Sequence, residues 1–175
     1  MRYSCIFLIT IILFPILLFA QTTDSVFMQA AIKKLKDAKE YTMKTVSLMP
    51  AEKFGFKPTK QEMSFGEQVL HLSANMGWLC SSYLGKESNP VSDTDMKLEK
   101  KESIMLVLDK AYDFALTTLE HFDTKNFSDK VDFFAGPMNK LQIINLLNDH
   151  QTHHRAQMLV YLRLNGIKPP DYVGW

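Results

Sequence analysis

The chain has 175 residues, of which 20 are Lys or Arg and 19 are Asp or Glu, and 46% of its residues are hydrophobic. This near balance of charge argues against a nucleic-acid-binding protein, because such proteins present a basic surface to the phosphate backbone. A chain of this length can bury one substantial core without disulfides, so a single domain is expected.

The first 20 residues have the composition of a secretory signal peptide. Arg2 precedes the apolar run Cys5–Phe19, and Ala20 comes immediately before a polar stretch. The run is shorter than the roughly 20 residues that span a bilayer, and Pro15 interrupts it. We therefore expect cleavage after Ala20, a mature domain of residues 21–175, an exported (periplasmic or extracellular) product and no stable membrane span after cleavage. Retention of the segment as an anchor is the less favoured alternative.

Helical spacing of the apolar residues, only seven glycines and no alternating strand pattern predict an all-α protein built as a four-helix bundle. The first helix is expected from about Asp24, a plausible N-cap, to Leu48, and Pro50 ends it. Its predicted inward-facing residues are Val26, Ala30, Leu35, Ala38, Thr42, Val46 and Met49.

The other three helices follow in order. The second begins at a capping box, Ser64–Glu67, and extends to about Leu84. The third is expected over about 97–122, and its inward-facing residues are Ile104, Leu108, Ala111, Ala115 and Leu119. The fourth is expected over about 138–165, with Gly166 ending it in the C′ position. In the connection before it, residues 131–134 could form a brief hairpin-like piece, but a sheet is not expected.

Three of the five histidines lie in the fourth helix, within the sequence Asp-His-Gln-Thr-His-His-Arg of residues 149–155. His150 and His154 are four residues apart and project from one helix face, which suits two ligands of one metal ion. The same face is apolar, so it points inward. Two buried imidazoles without partners would each cost about 1–3 kcal/mol, and a metal would satisfy both. A buried histidine beside an exposed one fits the spacing equally well, and a third ligand must come from elsewhere.

His71 lies on the polar side of the second helix. By periodicity alone it is predicted to be a surface residue, because the strongly apolar side of that helix carries other residues. The alternative is that this polar side lines a pocket at one end of the bundle, with Trp78 closing the pocket.

Three segments carry a family resemblance. They are 49–58 (Met-Pro-Ala-Glu-Lys-Phe-Gly-Phe-Lys-Pro), 64–71 (Ser-Phe-Gly-Glu-Gln-Val-Leu-His) and 150–158 (His-Gln-Thr-His-His-Arg-Ala-Gln-Met), the last followed by Tyr161-Leu162-Arg163, Gly166 and Pro169. Together they resemble the DinB family, also called DinB/YfiT-like, over essentially all of the mature sequence. Ala156 stands where many relatives have glycine, a change that costs nothing in a helix.

The resemblance implies a four-helix bundle that binds a divalent metal ion, zinc or nickel, through the second-helix histidine and the outer pair of H-x-x-x-H. These positions are His71, His150 and His154, so the resemblance overrides the periodicity of His71. Three nitrogen ligands without a thiolate are typical of a site that keeps one position open for water or substrate.

Characterised relatives include transferases and isomerases that use low-molecular-weight thiols. The resemblance thus implies a metal-dependent enzyme of the thiol-transferase type with a small-molecule substrate, and a homodimer is plausible because relatives often dimerise. Export weakens this interpretation, since such thiols are scarcer outside the cytoplasm. A metal-dependent hydrolase that uses metal-bound water is the second hypothesis. A non-catalytic ligand-binding module is the third.

Other residues around the predicted site have weaker roles. Asp149, His153 and Gln157 could orient the ligand imidazoles, although His153 could equally be an ordinary half-exposed residue. Arg155 could pair with Asp149 or an acidic neighbour, or hold an anionic group of a substrate. The expected pocket-lining residues are Asn75, Trp78 and Tyr161.

Two further residues have structural interpretations. Cys80 is nine residues from His71, on the opposite side of the second helix, and is expected in the core rather than as a nucleophile. It is also unpaired, because the other cysteine, Cys5, would leave with the signal peptide. His121, at the end of the third helix, is predicted to complement the helix dipole.

Overall fold

A computed structural model of the chain describes the backbone of residues 3–173 and the side chains of residues 23–173. Within that range the chain forms four long helices, and the prediction of an all-α four-helix bundle is confirmed. The helices are α1 (Tyr3–Leu48), α2 (Phe65–Leu79), α3 (Lys101–Glu120) and α4 (Lys140–Leu164). A π-helical turn, Cys80–Leu84, continues α2, so this helical segment ends where the sequence predicts.

The first helix begins much earlier than predicted. Helical backbone runs from Tyr3 through Asp24, so Asp24 does not cap a helix start. An N-cap needs extended backbone, and the residues before Asp24 supply no proline or glycine close enough to end a helix there. The predicted signal peptide, residues 1–20, lies outside the described side chains. In the part of the chain that was described, no helix is both long and apolar enough to cross a membrane.

The inward face of α1 also differs from the prediction at its first two positions. Val26 is 65% exposed, and Ala30 is exposed as well. The buried residues of this helix instead follow steps of three and four, which keep them on one face. They are Met28, Ala31, Leu35, Ala38, Tyr41, Thr42, Thr45 and Val46, and the buried Met49 follows directly after the helix ends. The predicted stripe was therefore right from Leu35 onward.

The capping box that starts α2 is present as predicted. The Ser64 hydroxyl accepts a hydrogen bond from the Glu67 amide at 3.2 Å, and the Glu67 carboxylate accepts one from the Ser64 amide at 2.6 Å. These two bonds satisfy amide groups that the first helical turn leaves free. They also fix Glu67 one turn before His71.

The third helix follows a 3-10 turn, Asp95–Lys97, and starts a few residues later than predicted. All five of its predicted inward-facing residues are buried, which confirms that stripe. At its end the His121 ring nitrogen Nδ1 contacts the Thr117 carbonyl at 2.8 Å. This contact fits the predicted role of His121 at the helix terminus.

A two-stranded antiparallel sheet precedes α4, where no sheet was expected. Strands β1 (Lys130–Phe133) and β2 (Gly136–Asn139) pair with Lys130 opposite Asn139 and Phe133 opposite Gly136. Gly136 has φ 120°, a value that L residues rarely adopt and that lets the two-residue turn close. The sequence prediction failed here because two four-residue strands are too short to show a clear alternation.

The fourth helix begins directly after this hairpin. Asn139 caps it, and Gln142 completes a second capping box. At the other end Gly166 has φ 72°, so the predicted C′ glycine is confirmed.

Packing between the helices places the candidate site. Helices α1 and α2 each contact both α3 and α4, so α1 and α2 lie diagonally across the bundle. One face of α2 therefore packs along α4. His71 lies on that face, opposite the face of α4 that carries His150 and His154.

Candidate metal centre

The structure brings the three predicted histidines together. A ring nitrogen of His71 on α2 and ring nitrogens of His150 and His154 on α4 all lie within 4.8 Å of one another. The ring centroids of His71 are 5.2 Å from His150 and 4.7 Å from His154. His154 is buried, and the other two side chains are half-buried. Three imidazoles at these separations could hold one metal ion between them.

The hydrogen bonds of Gln68 define which nitrogen of His154 faces this centre. The Gln68 amide nitrogen donates to the Gln157 side-chain oxygen and, at 3.4 Å, to the Tyr161 hydroxyl. Its oxygen is thus left to accept from His154 Nδ1 at 2.5 Å. His154 Nδ1 therefore carries the proton, and Nε2 has a free lone pair. Gln68 is buried, so this orientation is held away from solvent.

His150 contributes the second nitrogen from α4. Its Nε2 lies 3.2 Å from Nε2 of His154, so both nitrogens border the same space. On the other side of the ring, His150 Nδ1 is buried and has no hydrogen-bond partner among the described residues. The side-chain oxygen of Asn75, one turn after His71, is also buried and also has no hydrogen-bond partner among the described residues.

Burial keeps the three imidazoles neutral near pH 7. It lowers the pKa of His71, and together with the nearby His71 and His153 it lowers the pKa of His150 to about 4. Burial, followed by His150, His71 and His153, lowers the pKa of His154 to about 3. A histidine must be deprotonated to bind a metal, so these shifts leave the donor nitrogens available. The donor set therefore fits a divalent ion that prefers nitrogen ligands.

A cavity of about 340 Å³ opens beside His71. Charged residues of both signs line it: Lys57, Lys60, Glu62 and Glu67. Lys57 forms an ion pair with Glu67 at 2.9 Å. A neighbouring cavity of about 410 Å³ shares Lys57 and Glu67 but contacts none of the three histidines. Of these two cavities, the smaller one is therefore the one that reaches the candidate centre.

Glu67, at the mouth of this cavity, makes the stability of the folded protein depend on pH. Its ion pair with Lys57 and the bond from the Ser64 amide lower the pKa of Glu67 to about 2. The pKa of Glu67 in the unfolded chain is about 4.5. The stabilisation of the folded state by its carboxylate is therefore complete above that pH and is lost as the pH falls toward 2. Glu67→Gln should lower stability at neutral pH by no more than about 1 kcal/mol, because the side chain is half-exposed.

Thermal melts of both proteins across this pH range check that expectation. The difference in Tm between wild type and Glu67→Gln should narrow as the pH falls below 4.5. Glu62→Gln is the matched control, because Glu62 lines the same cavity but its carboxylate makes no hydrogen bond or ion pair with the described residues. If the difference in Tm between wild type and Glu67→Gln stayed constant with pH, the lowered pKa of Glu67 would be contradicted.

The three predicted pocket-lining residues, Tyr161, Trp78 and Asn75, have different surroundings. Tyr161 is buried, contacts Gln68 and donates to the Met63 carbonyl at 2.9 Å. Trp78 packs against Tyr83 and the hairpin residue Phe133. Neither these two residues nor Asn75 is among those that line the cavity beside His71. The charged lining of that cavity was not anticipated.

Of the three predicted orienting residues, only His153 contacts a ligand histidine: its ring lies edge-on to that of His154, with the centroids 5.0 Å apart. Gln157 contacts Gln68 rather than a ligand histidine, and its amide nitrogen donates to His153 Nε2 at 2.9 Å. Asp149 is exposed and makes no side-chain hydrogen bond or ion pair with the described residues. The residue that does orient a ligand, Gln68, was missed. Its signal in the sequence was its place on the polar side of the second helix, one turn before His71.

Arg155 and Cys80 can also be compared with their predictions. Arg155 is buried and pairs with neither Asp149 nor any other carboxylate of the described residues, so the predicted ion pair was wrong. Positions 149 and 155 are six residues apart and project from different helix faces. Cys80 is fully buried and unpaired, and burial raises the pKa of its thiol to about 12. The interpretation of Cys80 as a core residue is confirmed.

Comparison with known proteins agrees with the four-helix fold. A DinB-like protein from Bacillus cereus ATCC 10987 has a similar structure, with a TM-score of 0.67 and 20% identity over 83% of this chain and 97% of that chain. A DinB-like protein from Bacillus subtilis gives a TM-score of 0.64 and 14% identity over 82% and 96% of the two chains. No curated protein matches the chain. The model of the DinB family matches residues 22–174, and the chain belongs to this family.

Proposed function

We propose that the chain is an exported metalloenzyme in which His71, His150 and His154 hold one divalent metal ion, zinc or nickel. The observation that carries this proposal is the convergence of three neutral imidazoles, one of them fixed by Gln68 with its free lone pair toward the others. Neutral imidazole nitrogen suits both metals. Nε2 of His150 lies 3.2 Å from the unprotonated Nε2 of His154, so both nitrogens can bind one ion when His150 carries its proton on Nδ1.

The proposed site is open rather than closed. Three protein ligands are the number found in catalytic zinc sites, where a further position is left for water or substrate. The cavity beside His71 would give a small polar molecule access to that position. When bound, a divalent metal lowers the pKa of a coordinated thiol or water toward neutrality. The chain's own contribution is to fix the imidazoles and to bind the rest of the substrate in the cavity.

The reaction we favour is the transfer of a small thiol onto an electrophilic substrate. Membership of the DinB family supports it, and the charged lining of the cavity suits a polar thiol better than an apolar ligand. Lys60 makes no hydrogen bond or ion pair with the described residues, so its ammonium group is free to bind an anionic part of the substrate.

A metal-dependent hydrolase is the second candidate, and the N-terminal sequence favours it. Arg2, the apolar run Cys5–Phe19 and Ala20 support export, and the family match begins two residues after Ala20. Small thiols are scarcer outside the cytoplasm, whereas water is always available. If the chain is exported, N-terminal sequencing of the product from the periplasm or the medium should begin at Gln21.

An activity screen of the metal-loaded protein separates these candidates. The protein would be loaded with zinc or with nickel and assayed against pairs of thiols and electrophiles, and against panels of esters and amides. Turnover that requires a thiol supports the transferase. Turnover without any thiol contradicts it and supports the hydrolase. If the metal binds stoichiometrically and neither panel turns over, the enzyme proposal is wrong and the chain is a ligand-binding module.

A further inference from the structure

Arg155 is a buried cation that forms no ion pair with any of residues 23–173. It is 5% exposed and lies on α4, on the side that faces α1. Its guanidinium donates to the side-chain oxygens of Gln151 at 2.9 Å, Thr42 at 3.4 Å and Thr152 at 3.3 Å. It also lies over the ring of Tyr41, 5.1 Å from the ring centroid. All these partners are neutral, and among residues 23–173 no carboxylate lies within ion-pair distance of Arg155.

Such a state is unusual, because charged side chains are rarely this buried unless an opposite charge pairs with them. Neutral oxygens satisfy individual N–H groups but leave the positive charge uncompensated. A guanidinium carries five N–H donors in a planar fork that matches the oxygens of phosphate and carboxylate groups. The surroundings of Arg155 therefore favour binding of an anion that residues 23–173 do not provide.

A cavity of about 130 Å³ lies next to Arg155, between α1 and α4, and the C-terminal residues Tyr172 and Val173 complete its lining. Its other charged lining residues are Lys34 and Asp37. Asp37 is already paired with Lys33, whereas Lys34 has no hydrogen-bond or ion-pair partner among the described residues. The buried Arg155 and the exposed Lys34 thus both lack an ion-pair partner among the described residues.

The cavity has room for a tetrahedral oxyanion, because its volume of about 130 Å³ is several times the share of about 30 Å³ that one water molecule takes in the liquid. Two uncompensated cations further favour a doubly charged anion over a single carboxylate, since one ion then neutralises both.

We propose that this cavity between α1 and α4 binds phosphate, or the phosphate group of a small ligand, through Arg155 and Lys34. The site is separate from the three histidines: neither cation lines the cavity beside His71. The proposed phosphate site can therefore be tested independently of the proposed metal-dependent function.

Titration calorimetry of the full chain with inorganic phosphate, at constant ionic strength and with a chelator present, tests the proposal. We expect saturable binding of one phosphate per chain. Lys34→Gln should weaken it about tenfold, as expected for loss of one charge-assisted hydrogen bond. Arg155→Gln should abolish it. Lys36→Gln is the matched control, because Lys36 is an exposed lysine of the same helix that does not line the cavity, and its variant should bind like wild type.

Three outcomes would overturn the proposal. The first is no saturable phosphate binding to the wild-type chain. The second is equal affinity of the Lys34→Gln and Lys36→Gln variants. The third is competition by acetate at concentrations equal to those of phosphate, which would show a general carboxylate site. Arg155→Gln removes a buried group, so its fold must be checked by circular dichroism. If it does not fold, the two lysine variants decide the question.

Discussion

His154→Ala should reduce the metal bound by the purified protein from about one ion per chain to nearly none, with affinity falling by at least about 100-fold. His154 is the most buried of the three histidines and the one whose ring is fixed by a hydrogen bond to Gln68. Its loss removes one of three nitrogen donors and leaves His150 and His71 without their common neighbour. Elemental analysis and a competitive titration with a chromogenic chelator measure the two quantities.

His153→Ala is the matched control for that prediction. It removes a neighbouring histidine of the same helix, but His153 is exposed and its Nε2 is bonded to Gln157 rather than directed at the centre. We expect its metal content to equal that of wild type. If His154→Ala retained as much metal as His153→Ala, the three histidines would not be the metal site.

Thermal stability gives a second measure of the same site. A ligand that binds only the folded state at 100 times its dissociation constant adds about 2.7 kcal/mol of stability. Zinc or nickel should therefore raise the Tm of wild type and of His153→Ala by several degrees. The Tm of His154→Ala should not respond.

The helix-four pair shows how much of this site the sequence could predict. A separation of four residues on an apolar helix face was enough to place His150 and His154 together and inside the bundle. The alternative, one buried and one exposed histidine, does not hold, since both rings contact His71. Local periodicity sufficed here because both ligands belong to one helix.

His71 shows why periodicity failed for the third residue. The polar side of α2 packs along α4, so polar side chains meet at a seam inside the bundle. A hydropathy pattern cannot distinguish such a seam from a face that contacts water. The family resemblance carried the assignment instead, since it reports tertiary proximity that a single helix does not encode.

The remaining differences between the sequence predictions and the structure also arise from tertiary packing. Gln68 occupies the same polar side, and only the approach of His154 from α4 reveals it as an acceptor. For Arg155, one of the two predicted alternatives was a pair with a nearby carboxylate, whereas its partners are neutral residues of both α4 and α1. Capping boxes and the C′ glycine were predictable because each involves residues within a few positions of one another.

Gln68→Met should weaken metal binding by about 10- to 100-fold without removing any proposed ligand. Methionine fills a similar volume but cannot accept the hydrogen bond from His154 Nδ1. The His154 ring would then lose the contact that fixes its tautomer and its rotation, and its buried N–H would be left unpaired. The same chelator competition measures the change.

Two further variants separate this orienting role from a general loss of packing. Gln68→Glu keeps an oxygen that can accept from His154, so its affinity should remain near that of wild type even though its bond to Gln157 is lost. Gln157→Met removes the next link in the chain of contacts and leaves the bond between Gln68 and His154 in place, so it should change affinity by less than about threefold. Equal losses in all three variants would mean that the polar seam between α2 and α4 supports the fold as a whole. A loss confined to Gln68→Met would show that one hydrogen bond to His154 Nδ1 prepares the centre for its metal.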